Sequence, residues 1–210
     1  MAAILSNLRN AVILSTILAI GLILAGVMIW AYSQGPQGTG EVFFVAVFRW
    51  MHVVFGILWI GLLYYFNFVQ IRIMPAVPAE LKPGVTKYIA PEALFWFRWA
   101  AVATVVMGLA IAGSRHYLVQ TLSFGMAGGA DASSHKQYAL LGLGMWLGII
   151  MMLNVWGIIW PNQKRALGLV EADADTKAKS ARMAMLGSRT NLMLSLPMLV
   201  AMAMSQTVFG

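Results

Sequence analysis

The sequence predicts an all-α integral membrane protein: a bundle of about five transmembrane helices, N-terminus in the cytoplasm, with almost no soluble domain. Three observations carry that prediction. Of 210 residues, 60% are hydrophobic and only 10% charged, where soluble domains carry about 25% charged residues. The apolar residues gather into five stretches, each close to the roughly 20 residues a spanning helix needs. The basic residues crowd the segments on one side of those stretches, as the positive-inside rule requires.

The first stretch, 11–30, is too long for a signal-peptide core and is read as a span. The Gly/Pro/Gln run at 34–40 is a loop. The second span falls within 43–70, and Pro75, Pro78 and Pro83 mark the turn-rich loop behind it. Pro91-Glu92 reads as a helix start, with proline in the first turn and an acid at the positive dipole end. The third span runs 92–117, and a Gly/Ser/Ala-rich loop follows over 123–134. The fourth runs 138–160, with Pro161 as its stop. The charged segment 162–189 reads as cytoplasmic and partly as a surface amphipathic helix. The fifth span is 191–207, with Pro197 as a kink. The whole chain, 1–210, is taken as one transmembrane helical domain.

Charge sets the orientation. With the N-terminus inside, the inner side holds Arg9, Arg72, Lys82, Lys87, Arg98, Lys164, Arg165, Lys177, Lys179, Arg182 and Arg189, and the outer side only Arg49, Arg115 and Lys136. This asymmetry explains the net charge of +7 through lipid orientation, so no nucleic-acid partner is inferred. The absence of cysteine excludes disulfides, thiolate metal sites, iron–sulfur clusters and thioether-linked haem. No carboxylate is embedded in the interior of a span, which argues against a proton-coupled transporter. The 15 methionines form no copper-binding cluster and read as lipid-facing or core filler.

Two groups of residues could carry chemistry. His52, His116 and His135 all fall in the outer half. His52 alone lies well inside an apolar span, where an imidazole needs a partner or a metal. Two histidines on neighbouring helices can hold a b-type haem axially. His52 and His116 are the candidate iron ligands and His135 the alternative second one, with Gly56 one turn from His52 leaving room for a flat ring. His116 and His135 equally suit ordinary loop histidines. The second group gathers at the opposite end: Asn67, Gln70, Arg98, Asn154, Asn162, Gln163, Arg189 and Asn191. These could line a polar pocket for a small planar anion, with arginine supplying paired donors. They could equally be helix–helix hydrogen bonds and interfacial charge. Gly144-x-x-x-Gly148 predicts close helix packing at both glycines.

Four stretches also carry a resemblance: 50–70 (WMHVVFGILWIGLLYYFNFVQ), 93–99 (ALFWFRW), 154–164 (NVWGIIWPNQK) and 188–198 (SRTNLMLSLPM). Together they resemble the bacterial urate oxidase N-terminal domain family, the membrane part of the urate hydroxylase of purine degradation. The resemblance spans nearly the whole chain. It implies a multi-pass protein of the bacterial inner membrane that hydroxylates urate and passes electrons to the respiratory chain. Full-length members end in a c-type cytochrome domain. This chain ends at Gly210 without a haem-attachment motif, so the expected electron acceptor is a separate cytochrome c or another membrane subunit. The shorter pattern His52-x-x-x-Gly56-x-x-Trp59-x-Gly61 resembles the haem-binding first helix of the membrane protoporphyrinogen oxidase family and adds weight to His52. The alternative reading is a non-catalytic accessory subunit of a larger respiratory or photosynthetic membrane complex.

Overall fold

The computed structural model describes residues 6–127 and 132–209, and among them helix is the only regular structure. Five helices are long and apolar enough to cross a membrane: α1 (Leu8–Gln34), α2 (Thr39–Ile73), α3 (Lys82–Ser114), α5 (Ser134–Ala166) and α6 (Ala174–Phe209). A short helix, α4 (Leu118–Leu122), links α3 to α5. The chain forms two compact units, Met1–Met51 and His52–Gly210.

The first unit is α1, a tight turn and the first residues of α2. Asn7 caps α1 by accepting the Arg9 backbone N–H at 2.9 Å, one of the N–H groups that a helix start leaves unpaired. Gly35 (φ 91°) ends the helix, donating its N–H to the Ala31 carbonyl. Its left-handed φ is one that glycine adopts without a Cβ penalty.

The second unit is a four-helix core. Gly56 on α2 lies opposite Thr104 on α3, and Phe66 meets Phe97 edge-on with ring centroids 5.6 Å apart. As one residue number rises the other falls, so α2 and α3 run antiparallel. The same holds for α5 and α6, where Gly144 meets Ala201 and Met202 while Asn154 meets Gly187 and Asn191. Trp59, Leu63, Phe66, Leu94, Phe97, Ala101, Met151, Val155, Ile159 and Met198 fill the centre. The buried face of α6 is a row of small residues: Ser180, Ala184, Gly187, Ser188, Asn191, Ser195, Ala201 and Ser205. In lipid no hydrophobic force drives helices together, so close backbone approach over small side chains does that work.

The helices outrun their apolar stretches. The third begins at Lys82, not at Pro91, and the fourth continues through Pro161 to Ala166. The reason is a π-helical stretch before each proline, Val85–Ile89 and Val155–Ile159. A proline ring collides with the carbonyl four residues back. For Pro91 that is Lys87 and for Pro161 it is Gly157, and both lie inside the π stretch. The wider i→i+5 turn carries that carbonyl away from the ring. A third π stretch, Tyr65–Gln70 in α2, has no such proline behind it. The fifth helix is likewise longer than its apolar part. It starts at Ala174 and takes up much of the segment read as a surface helix. Asp173 caps it, accepting the Thr176 backbone N–H and hydroxyl at 2.8 Å each. Of the two packing glycines, Gly144 sits where a Cβ would lie 3.2–3.3 Å from Met202 and Ala201, but Gly148 has nothing within 4 Å. The expectation of close packing at Gly148 is therefore corrected. The tighter position is Gly142, where a Cβ would run into the Thr121 carbonyl oxygen of α4.

Candidate functional site

The polar residues of the second group converge at one end of the four-helix core, and there they divide into two sets. In the first set the side-chain amide nitrogens all find acceptors. Asn154 on α5 donates through Nδ2 to the Gly187 carbonyl at 2.9 Å and to Asn191 Oδ1 at 2.7 Å. Asn191 on α6, fully buried, donates through Nδ2 to the Met151 carbonyl at 3.0 Å. Gly187 permits this, since a Cβ there would lie 2.9 Å from Ile159 and 3.4 Å from Asn154 Oδ1. Asn67 on α2 joins the same helix, its Nδ2 donating to Ser188 Oγ and to the Leu63 carbonyl, both at 2.9 Å. One turn away the Tyr64 hydroxyl donates to Ser195 Oγ at 3.3 Å, while that serine donates to the Leu192 carbonyl. These bonds pin α2 and α5 to α6.

The second set is unsatisfied. Arg98 on α3 is only 8% exposed, and its guanidinium lies 3.4 Å above the centroid of the Trp160 ring of α5. Its Nε and Nη1 are buried without a hydrogen-bond partner. Among the described residues the ion pair found is Lys179–Asp175, on the exposed start of α6, so no carboxylate balances Arg98. A cation over an indole gains about 2 kcal/mol when desolvated. Each buried N–H left unpaired costs about 1–3 kcal/mol, so the stacking does not repay the burial. Neighbouring acceptors are orphaned too. Gln163 Oε1 lies one turn past Trp160, and Gln70 Oε1 and Asn67 Oδ1 lie on α2 beside Phe66, the residue packed on Phe97. Trp156 packs edge-on against Trp99 at 5.4 Å and also buries an unpaired indole N–H. The bundle thus holds unpaired donors and unpaired acceptors at one end, a pattern rare in native interiors and one that demands an explanation. Arg189 takes no part in either set: it is exposed on α6.

The histidines are dispersed. The His52 ring lies on Gly108 of α3, where a Cβ would be 2.9 Å from its Cε1, and its Nδ1 donates to the Thr104 carbonyl at 2.8 Å. That bond fixes the tautomer and leaves Nε2 as the lone-pair nitrogen, the arrangement metal-bound imidazoles show. Gly56 faces Thr104, its Cβ position 3.7 Å from Thr104 Cγ2, so α3 fills the space expected for a ring. His116 is exposed, with φ 57°, two residues beyond the end of α3. At about 1.5 Å per residue, that end is already about 9 Å along the axis from Gly108. His135 sits in the first turn of α5, its backbone close against Gly125. His52 is set apart from His116, and no His52–His116 pair is assembled. Among the described residues no group of three or more His, Asp or Glu side chains forms a metal site.

Sequence reasoning named Arg98, Gln70, Gln163, Asn154 and Asn191 but not their partners. Trp160, Ser188, Gly187 and Gly108 are not singled out by the sequence as site positions. The available signal was the span direction, which puts Arg98 and Trp160 at one level.

These features define a helical membrane protein of five span-length helices with an unpaired cationic group buried at one end of its core. Residues 116–207 match the family model described as urate oxidase N-terminal, which supports the resemblance read from the sequence. The match covers α4, α5 and nearly all of α6, and with them Asn154, Trp156, Trp160, Gln163 and Asn191. No curated protein and no solved structure matches the chain.

Proposed function

We propose that this chain is the membrane module of a urate-oxidising, urate hydroxylase-like oxidoreductase of the bacterial inner membrane. In this reading the Arg98 end faces the cytoplasm, and electrons pass to a separate respiratory cytochrome. The observation that carries it is the family match over 116–207, and the unpaired Arg98 gives it chemical content. The eleven-to-three distribution of basic residues supports the orientation. Membranes from cells expressing the chain, supplied with urate and a respiratory acceptor, deplete urate's ultraviolet band faster than membranes from cells without it. Equal rates overturn the assignment.

The haem in this reading rests on His52, whose Nδ1 bond to Thr104 leaves Nε2 open. Purified protein then shows a Soret band that His52→Ala abolishes and His135→Ala leaves in place. A wild-type preparation without the band removes haem from the account.

A second reading, an accessory subunit of a larger membrane complex, is favoured by α1, whose most apolar window has a mean hydropathy of 2.7 and so suits lipid or the helices of another chain. Recovery of the chain in a stable, fixed-stoichiometry complex that lacks urate turnover selects this reading.

A further inference from the structure

Resting on the urate-oxidising reading, the geometry points to the buried, unpartnered guanidinium of Arg98 as the ligand-anchoring group. Its ligand is one small planar anion that carries both carbonyl acceptors and ring N–H donors.

Four observations carry this. First, Arg98 is more than nine-tenths buried, and two of its donors have no partner. A guanidinium so placed matches an anion with acceptor atoms in one plane, because its N–H groups form a rigid planar fork. Second, Trp160 covers the face of the guanidinium at 3.4 Å, which fixes its plane and leaves the edge as the surface available for bonding. A lysine in the same place would offer a point charge without that fork.

Third, the segments packed around Arg98 carry orphaned acceptors. Gln163 Oε1 and Gln70 Oε1 are buried without donors. An anion that offers acceptors alone would satisfy the arginine and leave both amide oxygens unpaired. A heterocyclic anion with ring N–H groups satisfies both kinds. Trp160, Gln163 and Gln70 are half-buried and Arg98 is buried. Fourth, Gln70 lies in the π-helical stretch Tyr65–Gln70, which no following proline explains. Such stretches are rare and concentrate at functional sites.

The Asn154–Asn191 pair is excluded from this site because its bonding is complete. Its role is to hold the helices that carry Trp160 and Gln163.

The test is ligand binding by the purified full-length chain in detergent, read by quenching of its tryptophan fluorescence. Urate is the probe, and inorganic phosphate is the charge-only competitor. The wild type binds urate saturably, and phosphate in excess does not displace it. Arg98→Lys, which keeps the charge, weakens urate by about tenfold or more, the loss expected when a charge-assisted bond is broken. Gln163→Leu, which leaves the arginine untouched, weakens it by a smaller factor. Arg182→Gln, an exposed site on α6, changes nothing. Helical circular dichroism and a single gel-filtration peak establish folding for each variant. Wild-type affinity in both Arg98→Lys and Gln163→Leu overturns the proposal, as does an absence of urate binding by the wild type. Displacement by phosphate overturns the ligand class.

Turnover separates this proposal from the reading beneath it. Urate depletion that survives Arg98→Lys unchanged refutes the site and leaves the enzyme. Urate binding that depends on Arg98 in membranes that never deplete urate refutes the enzyme and leaves the site.

Discussion

Two polar clusters lie at one end of the same four-helix core, and they are built on opposite principles. In the Asn154–Asn191 cluster the side-chain N–H donors are used: asparagine to asparagine at 2.7 Å, asparagine to backbone at 2.9 and 3.0 Å. In the Arg98 cluster two guanidinium nitrogens, an indole N–H and two glutamine oxygens are buried with no partner. The first arrangement is what a bundle needs to hold itself together without water. The second lowers stability, and a protein keeps such a group when function uses it. The number of polar residues does not separate a structural knot from a site; completeness of their pairing does.

The comparison can be broken most forcibly at Asn191. Replacing it with leucine removes the bond from Asn154 and the bond to Met151 together. Interhelical hydrogen bonds in membranes are worth about 0.6 kcal/mol each on average, up to about 1.7. With misfit added, Asn191→Leu is expected to cost about 1–3 kcal/mol, seen as a lower melting temperature in detergent. An unchanged melt means that this cluster is not what holds α5 to α6.

The glycines of α5 sharpen the same contrast between occupied and unoccupied surface. Gly144→Leu forces a side chain against Met202 and Ala201 and should cost about 1–3 kcal/mol. Gly148 is itself buried, but a Cβ there would meet nothing within 4 Å, so Gly148→Leu should cost less than Gly144→Leu. Equal losses at the two positions contradict the packing described.

The smallest effect lies outside the bundle, where water competes with every bond. The Thr176 backbone N–H, and then its hydroxyl, hold the Asp173 carboxyl below the usual carboxylate range. A depressed carboxyl contributes stability that is present above its unfolded pKa of about 3.9 and is lost as pH falls through the lower folded value. Asp173→Ala should therefore lower the melting temperature slightly at neutral pH, and the gap should close in acid. A gap that widens below pH ~4 contradicts the cap.

Much of this was legible in the sequence. Five apolar stretches, read by length and charge, correspond to the five span-length helices, because the bilayer imposes one length on every crossing element. Their ends were less legible. Pro91 and Pro161 look like boundaries, and only the π-helical turns before them let the helices run on. The start of α6 was hidden by its charge, since hydropathy registers the apolar part of a helix and not the turns that continue into polar surroundings. For the site, alternating span direction brings Arg98, Gln163, Asn154 and Asn191 to one level. It does not give the rotation of each helix, and rotation decides that Asn191 meets Asn154, that Arg98 meets Trp160 and that Arg189 points outward. The same limit applies to His52: its depth could be read, but not the Thr104 carbonyl and Gly108 surface that receive it.

The account turns on Arg98, and one variant tests it from both sides. Removing a buried unpaired charge in favour of an apolar side chain of similar length is often neutral or stabilising by about 1–4 kcal/mol. Thermal melts of wild type and Arg98→Met, each with and without urate, should show Arg98→Met melting as high as wild type or higher. Urate should raise the wild-type melting temperature and leave that of Arg98→Met unmoved. An Arg98→Met protein that melts well below wild type yet keeps the full urate shift would show that Arg98 holds the fold together and does not bind the ligand.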